Sequence, residues 1–464
     1  MNFNAKTITM AIAVLLSGCA VSPTYQRPST PDVAIFKEAG DWVLAAPADV
    51  LERGPWWQLF NDPVLNDLAS SVEVSNQNVA AAIAAYAQAR ALVAEQRASL
   101  LPSVTLGGGA SRSESNGNTR NNFQANLGTA WELDVWGRLQ SVANGSDAQA
   151  AASAADLAAA RLSAQGELAI NYLSLRQQDA QKALLASTLS GYLRALEIAQ
   201  NRYTAGIAAK TDVLQAQTQL ANAKADEAGL QRTRAQLEHA IAVLVGQAPG
   251  NFSLPAVAAW KPAVPDVPIG VPSTLLQRRP DIAAAERRVA SANAQIGAAK
   301  AAYYPSLNLN ASLGTSASRV TDLFSAPAAL WSLGLSTAQV LFKGGALDAR
   351  VEGAQAAHAQ AVARYRQVVL AAFQNVEDQL SSARVLQTQQ TLRAQASTAA
   401  DQAELQVLNR YSSGLASYSE VINAQTTALS ARRAVVQVSG ERQTAAVALI
   451  QSLGGGWTAA QTAP

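Results

Sequence analysis

The chain says the same thing twice. Residues 78–111 read NVAAAIAAYAQARALVAEQRASLLPSVTLGGGAS and residues 281–314 read DIAAAERRVASANAQIGAAKAAYYPSLNLNASLG. Placing Pro102 on Pro305, an offset of 203, also aligns Val79 with Ile282, Ala89 with Ala292, Ala98 with Ala301 and Leu106 with Leu309. A second matched pair follows at an offset of 208, RYTAGIAAKTDVLQAQ from Arg202 and RYSSGLASYSEVINAQ from Arg410. Two copies of about 200 residues are too long for a short-period solenoid and too few for a propeller. Each copy must be a large unit built to one plan, so a feature read in one can be checked in the other.

Composition narrows what that plan can be. The 35 basic and 33 acidic residues leave a net charge of +2, which gives no reason to expect nucleic acid or another polyanion as partner. Charged residues are 15% of the chain, low for a soluble protein, and much of the 49% hydrophobic content is alanine. Small side chains suit close helix packing, and a low charge suits a surface covered by neighbouring chains or by lipid.

The amino terminus carries an address. Lys6 precedes an apolar stretch over 8–16 that is too short to span a bilayer and has the size of a secretory signal's core. It runs into Leu16-Ser17-Gly18-Cys19, which resembles the lipobox of bacterial lipoproteins and implies cleavage before Cys19 with a diacylglycerol on its sulfur. A free thiol behind an ordinary signal peptide is the alternative. Cys19 is the only cysteine, so no disulfide framework exists. Ala20 is not an aspartate, and by the lipoprotein sorting rule the chain goes to the outer membrane. A lipid chain anchors without spanning.

Beyond the signal no run of 18 uninterrupted apolar residues occurs, so any crossing of a membrane has to be made by a closed β-barrel. Four strands are expected in two pairs, 103–113 with 123–135 and 306–316 with 330–342. Val104, Leu106, Leu127, Leu133 and Val135 alternate with small or polar residues in the first copy, as do Leu307, Leu309, Leu313, Leu333 and Leu335 in the second. Trp131, Trp136, Trp331, Tyr303 and Tyr304 fall near strand ends, where interfacial aromatics would sit. Polar connectors, SRSESNGNTRNN from Ser111 and TSASRVTDLFSAPAA from Thr315, read as loops. Four strands cannot close a barrel when the smallest membrane barrels use eight, so several chains must share one wall. A small soluble sheet beside a helical domain is the alternative, and it leaves the lipobox and the long alternations without a purpose.

The remaining length reads as helix. Residues 138–201 contain no proline, and as helix they would rise about 96 Å. Leu185, Leu189, Tyr192 and Leu196 form a narrow stripe, and so do Leu230, Leu237, Ile241 and Leu244; both are coiled-coil seams rather than globular faces. The second copy repeats this with no proline over 347–411. Shorter helices over 64–99 and 281–301 open at Asp62-Pro63 and Arg279-Pro280, and others over 211–245 and 417–453 return from the Arg-Tyr-x-x-Gly turns. Each copy is thus one long helix beside two shorter ones stacked in line, with a β-hairpin at one end and a tight turn at the other. The expected organisation is a signal peptide 1–18, a lipidated arm 19–61, a first repeat 62–248 with strands in 103–135 and a tip at 202–210, a Pro-rich linker 249–273, a second repeat 274–454 with strands in 306–342 and a tip at 410–417, and a flexible tail 455–464.

Specific motifs now add up. The lipobox, Trp56-Trp57-x-x-Phe60-x-Asp62-Pro63-x-Leu65, Leu101-Pro102-Ser103, Glu132-Leu133-Asp134-x-x-Gly137-Arg138-Leu139, Arg278-Arg279-Pro280-Asp281-Ile282, Tyr304-Pro305-Ser306 and both Arg-Tyr-x-x-Gly turns resemble, in this order and spacing, the outer-membrane factor family. Within it the chain is most similar to the OprM or NodT type of lipoprotein exit ducts of tripartite efflux pumps, and more distantly to TolC. The resemblance implies an α+β membrane channel: a homotrimer whose chains each give four strands to a twelve-stranded transmembrane β-barrel, with a periplasmic α-helical barrel and a small mixed equatorial region. It implies a periplasmic adaptor protein, an inner-membrane pump of the RND type and the lipid bilayer as partners, with no cofactor except the lipid on Cys19. A duct for type I protein secretion would share the whole fold. A structural coiled-coil lipoprotein would share the anchor and helices without needing paired strands.

Nothing in the chain points to chemistry on a substrate. His239 and His358 each stand alone on a helix, Met1 and Met10 belong to the signal, and one cysteine cannot assemble a soft-metal site. Gly107-Gly108-Gly109 lacks the Lys-Ser/Thr of a phosphate loop, and no nucleophile triad can be argued from any spacing. No catalytic and no metal-binding residue is expected, and the protein is not expected to be an enzyme.

Function should concentrate at the turns. Arg202, Tyr203 and Gly206, with Arg410, Tyr411 and Gly414, each end a long helix, the glycine serving as left-handed cap. The resemblance makes these tips the contacts with the adaptor and the closed end of the resting tunnel. Asp212 and Glu420 occupy equivalent positions, so three chains would place a ring of acids there that favours cations. The family resemblance leads one to expect a gate aspartate before the Ala-Gln of the second tip helix, where Asn423 stands, close to Ser419 and Glu420. Glu420 substitutes only if it faces the pore; an outer, solvated position is the alternative.

Overall fold

The computed structural model describes residues 21–30, 36–39, 55–115, 117–258, 260–265, 267, 279–325 and 329–455. Cys19, the signal segment, about half of the arm over 19–61, Arg278, residues 259, 266 and 268–273 of the linker and the tail beyond 455 lie outside the described residues.

The duplication is written in the element lengths. Helices α1 (Pro63–Ser75) and α2 (Gln77–Ala98) lead into strands β1 (Ser103–Ser115) and β2 (Asn118–Glu132), then α3 (Arg138–Thr204) and α4 (Lys210–Leu244). The second copy follows with α5 (Pro280–Ala301), β3 (Ser306–Ala317), β4 (Ala329–Ala338), α6 (Ala346–Ser412) and α7 (Tyr418–Ser452). Both α3 and α6 have 67 residues, α4 and α7 have 35, and α2 and α5 have 22.

Where the sequence pattern predicts one helix over 64–99, two are found. Asp62 caps the first, its carboxylate accepting from the amides of Val64 (2.9 Å) and Leu65 (3.2 Å), with Pro63 at the first helical position. Asn76 then leaves helical geometry (φ −69°, ψ 123°), and its side-chain oxygen accepts from the amides of Asn78 and Val79 at 3.0 and 3.1 Å. A polar side chain that satisfies the orphan donors of a new first turn stops one helix and starts another.

The chain divides into two compact units, and each draws on both copies. The first comprises residues 1–30, 84–155 and 282–368 and holds the sheet. Its strands run β1-β2-β3-β4, all antiparallel, so β2 against β3 joins the two copies' hairpins. The polar loop expected from Ser111 is instead strand: Ser115 pairs with Asn118, leaving a two-residue turn in which Gly117 takes φ 75°. β2 stops at Glu132 rather than 135, because Asp134 turns to cap α3, accepting from the amides of Leu139 (3.0 Å) and Gln140 (2.6 Å). β4 stops at Ala338 rather than 342.

Register sorts the sheet into two faces. Leu106, Leu127, Leu313 and Trp331 share one rung, and Leu309 pairs with Leu335 on the same side. Leu106 is 83% and Trp331 79% exposed, an apolar surface that in water would be a liability and in lipid is the outer wall. Trp331 lies near the start of β4, as expected, on the rung of leucines, whereas Trp131 and Trp136 close the sheet's helical end, their indole nitrogens donating to the carbonyls of Leu100 (2.9 Å) and Pro305 (2.8 Å). Trp136 stacks on Tyr304 at 4.8 Å. The opposite face is polar. Gly107, Asn126 and Gly314 form one rung, where a Cβ on Gly107 would lie 2.7 Å from the Asn126 amide oxygen and one on Gly314 2.7 Å from the Ala125 carbonyl. Ser312 and Ser332 hydroxyls meet across strands at 2.8 Å, and Ser316 donates to Asn122 at 2.7 Å.

The arm is strapped to this unit. Tyr25 donates to Glu286 (2.5 Å), Arg27 to the Tyr365 hydroxyl (3.2 Å) and Asn293 to the Pro23 carbonyl (2.9 Å). The Val21 amide reaches the Trp136 carbonyl at 3.5 Å, which puts the start of the described arm at the sheet's helical end.

The second unit, residues 31–83, 156–281 and 369–464, is helical. Leu185, Tyr192, Leu220, Ala223, Leu230 and Leu429 form a core against which Leu184, Leu189 and Leu196 pack, so the stripe Leu185, Leu189, Tyr192 and Leu196 is a seam between α3, α4 and α7, joined by Leu230 from the second stripe. The short helices meet end to end as expected, at two equivalent junctions. Asn76 donates to the Leu244 carbonyl that ends α4 (2.8 Å), and Arg279, its counterpart at the offset of 203, donates to the Ser452 carbonyl that ends α7 (3.0 Å). Beside the first junction Gly246 has φ 71°, and a Cβ there would lie 2.2 Å from the Ser75 carbonyl oxygen.

A buried ionic cluster fastens the described part of the linker. Asp179 and Arg176, each with a side chain 1% exposed, pair at 2.8 Å, and Arg234 reaches Asp179 at 2.7 Å and Glu238 at 3.2 Å. Arg176 also donates to the Pro255 carbonyl (2.8 Å) and Arg234 to the Leu254 carbonyl (2.6 Å), while the Val257 amide donates to Asp179 (3.2 Å). The guanidinium of Arg176 lies 4.8 Å from the Tyr172 ring, whose hydroxyl donates to Asp62 at 2.7 Å. Burial pushes that phenol's pKa up, so it stays a donor.

Candidate functional site

The two helical hairpin tips belong to the second unit, and the sequence builds them identically at the backbone. In the first, the Gly206 amide donates to Tyr203 (2.9 Å) and the Ile207 amide to Arg202 (3.0 Å); in the second, Gly414 donates to Tyr411 (3.0 Å) and Leu415 to Arg410 (2.8 Å). These paired bonds, closed by a left-handed glycine at φ 73° and 77°, form the Schellman ending of an α-helix. A Cβ added to either glycine would find no atom within 4 Å, so each is required for its backbone angle alone.

The side chains break the symmetry. Arg202 of the first copy lies over the Tyr411 ring of the second at 4.8 Å, and Tyr411 packs on Tyr418 at 5.6 Å with the rings tilted by 54°. Tyr418 is buried with Ala199, Val213, Ala216 and Val421, and burial pushes its phenol up to about 12. Tyr203, the counterpart of Tyr411 in the first copy, is 46% exposed. Arg202 Nε and the Tyr411 hydroxyl are buried and have no hydrogen-bond partner among the described residues. Of the six tip residues, then, Arg202 and Tyr411 meet in an aromatic-cationic cluster, Gly206 and Gly414 shape the turns, and Tyr203 and Arg410 remain at the surface, with Arg410 donating to the Leu415 carbonyl (3.2 Å).

The four residues considered for a gate separate in the same way. Glu420 closes a capping box with Ser417: the Ser417 amide donates to Glu420 at 3.0 Å and the Glu420 amide to the Ser417 hydroxyl at 3.4 Å. The Ser417 amide and hydroxyl hold the Glu420 carboxyl below the usual carboxylate range, helped by Arg410 at 3.9 Å. Asp212 stands half-buried in the first turn of α4, at the positive end of the helix dipole. Ser419 and Asn423 line a groove of about 410 Å³ between α4 and α7, facing Gln215, Gln219 and Asn222. The position where the family resemblance leads one to expect an aspartate therefore belongs to an amide-lined wall. Two features escape a reading of the sequence: the Ser417-Glu420 capping box, visible as Ser-x-x-Glu, and the cross-copy packing of Arg202 on Tyr411, for which no sequence signal distinguishes Tyr411 from Tyr203.

The model of the family described as "Outer membrane efflux protein" matches residues 68–247 and 271–455. The antibiotic efflux pump outer membrane protein ArpC of Pseudomonas putida is 31% identical over 463 residues, covering 96% of this chain and 94% of ArpC. The toluene efflux pump outer membrane protein TtgI, also of Pseudomonas putida, is 30% identical over 477 residues, covering 98% of this chain and 99% of TtgI. Among solved structures, the outer-membrane channel OprN superposes with a TM-score of 0.87 at 31% identity, over 95% of this chain and 100% of that one.

Proposed function

This chain belongs to the outer membrane efflux protein family, and from that premise we propose that it is the exit duct of a tripartite pump for small organic compounds such as antibiotics or solvents. It is an outer-membrane channel, and the observation that carries its mode of action is the four-stranded sheet with an exposed apolar face, a polar face and unpaired outer edges on β1 and β4. Unpaired edges in lipid are untenable, so strands of neighbouring chains must close the wall; three chains give twelve strands, well above the minimum of eight. To the long helices α3 and α6 we assign the periplasmic tunnel of such a duct. Conduction is passive, and no bond of the cargo is made or broken. Relatives named for toluene and antibiotic efflux favour small molecules over secreted polypeptides. The tips are where a periplasmic adaptor docks, linking the duct to an inner-membrane pump of the RND type.

The arm carries a lipid on Cys19. Support comes from the lipobox spelling and from Val21, which sits at the helical end of the sheet, the level at which an acyl chain could enter the adjoining leaflet. Deleting the gene in a strain without redundant ducts should lower tolerance of toluene and antibiotics, and re-expression should restore it. Unchanged tolerance would refute the efflux assignment. In the complemented strain labelled palmitate should enter the native chain and not Cys19→Ala; equal labelling would remove the lipid.

At the closed end, Asp212 and Glu420 supply two carboxylates per chain that bias the pore toward cations. Glutamine retains the reach of a capping box, so Glu420→Gln keeps the α7 start intact. Together with Asp212→Asn it should reduce cation preference in planar bilayers, and an unaltered reversal potential would dismiss the acid ring.

A further inference from the structure

The polar face of the sheet is neutral along nearly its whole length. Between Ser103 and Ser113 it presents serine, threonine and glycine from β1, asparagine and glutamine from β2, serine, asparagine and glycine from β3, and serine, glycine and Leu330 from β4. Two charged residues share it. Glu132, at the helical end, is paired with Arg138 at 2.7 Å. Arg120, at the other end, pairs in register with Ser113, is exposed, and makes no ion pair or hydrogen bond among the described residues. Its side of the sheet is fixed by alternation from Asn122, Gln124 and Asn126, and independently by glycine: a Cβ on Gly109 would lie 3.1 Å from the Gln124 amide nitrogen, so these side chains do stand on that face.

The other charges of this end leave Arg120 uncompensated. Arg112 and Glu114 alternate onto the opposite, apolar face of β1, two residues apart, and offset one another there. Arg319 and Asp322 lie within one turn of the β3–β4 connection, the Asp322 amide donating to the Arg319 carbonyl at 3.2 Å. The net charge at the outward end is thus one positive charge per chain, on the pore side.

We propose that Arg120 forms a ring of guanidinium groups at the outward mouth of the channel, one from each chain, that attracts anionic cargo such as organic carboxylates and lowers the barrier to its exit. The proposal rests on the duct reading above and adds the class of compound that the mouth favours. Within the barrel, whose polar face is otherwise neutral apart from the paired Glu132, a ring of like charges adds its own local preference at the mouth, separate from that of the acids at the closed tip. At physiological ionic strength the field of each guanidinium persists for about 8 Å, and at 1 M salt this falls to about 3 Å.

The test uses purified full-length trimers in planar bilayers under a KCl gradient. Arg120→Gln should shift the reversal potential toward cation preference and Arg120→Glu should shift it further, with both shifts shrinking at 1 M salt. Arg112→Gln removes the same charge one rung away on the lipid side and should leave the reversal potential at the native value. Native reversal potentials in both Arg120 variants, or an equal shift from Arg112→Gln, overturn the ring while leaving the duct intact. Unchanged tolerance of toluene and antibiotics on deletion of the gene overturns the duct reading and the ring with it.

Discussion

Removing the carboxylate of Asp179 is expected to cost about 3–5 kcal/mol, the loss that follows when one partner of a buried ion pair is deleted. Asp179→Ala leaves Arg176, 1% exposed, and Arg234, 15% exposed, facing each other without the anion that both address. It also strips the acceptor from the Val257 amide, so the damage extends to the linker segment that the cluster holds against α3 and α4. Unfolding of the detergent-solubilised protein should begin at markedly lower temperature, and proteolysis near residues 254–257 should accelerate. Asp179→Asn, which keeps the shape and one acceptor, should fall between. An alanine variant that melts like the native protein and resists protease equally would mean that the arginines reach water after all.

A second large effect is expected at the first helix junction. Gly246→Ala faces two costs at once: the left-handed backbone angle, roughly 1–2 kcal/mol for a residue with a Cβ, and a methyl group placed 2.2 Å from the Ser75 carbonyl oxygen. The obstacle is backbone, so relief requires moving the Ser75–Asn76 segment and loosening the bond from Asn76 to Leu244. The total should approach the roughly 4–5 kcal/mol that marks an exceptional single substitution. Gly206→Ala provides the comparison, since its φ of 73° is nearly the same and nothing lies within 4 Å of its added methyl. It should therefore show the backbone cost alone. Chemical unfolding of both variants decides the matter: equal destabilisation would show that the junction yields and that the close approach at Gly246 contributes nothing.

Much of the architecture is legible in the sequence because it is periodic and repeated. The 67-residue helices emerge from proline-free runs, and the stripe Leu185, Leu189, Tyr192 and Leu196 lies on the seam it announces. Strand edges are less legible where local chemistry competes with pattern. The Asn116-Gly117 pair is a strong hairpin signal, yet the polar residues around it read as a loop, although on a barrel strand polar residues can simply face the pore. Asn76 hides in a helix-favouring run because capping depends on where the amides of Asn78 and Val79 are left without partners, which periodicity does not reveal.

The candidate site is legible in its glycines and not in its contacts. Gly206 and Gly414 follow from helix ending alone. Tyr203 and Tyr411 are interchangeable in sequence, and only the packing of α3 against α6 and α7 decides that Tyr411 goes under Arg202. The charged cluster of Arg176, Asp179, Arg234 and Glu238 draws on two helices and the linker, so no local window could display it.

The pairing of β2 with β3 also governs the order in which the molecule can be made. These strands are separated by helices of 67, 35 and 22 residues and by the linker, and neither compact unit is complete until the second copy has arrived. While a nascent chain is still being exported, β1 and β2 are only a lone hairpin, which has little stability in water, and their lipid-facing leucines are bare. Such long-range pairing makes folding slow and leaves an aggregation-prone interval. The sheet therefore cannot be completed until β3 and β4, more than 300 residues into the chain, have been exported, and until then the first hairpin's bare leucines are exposed to self-association.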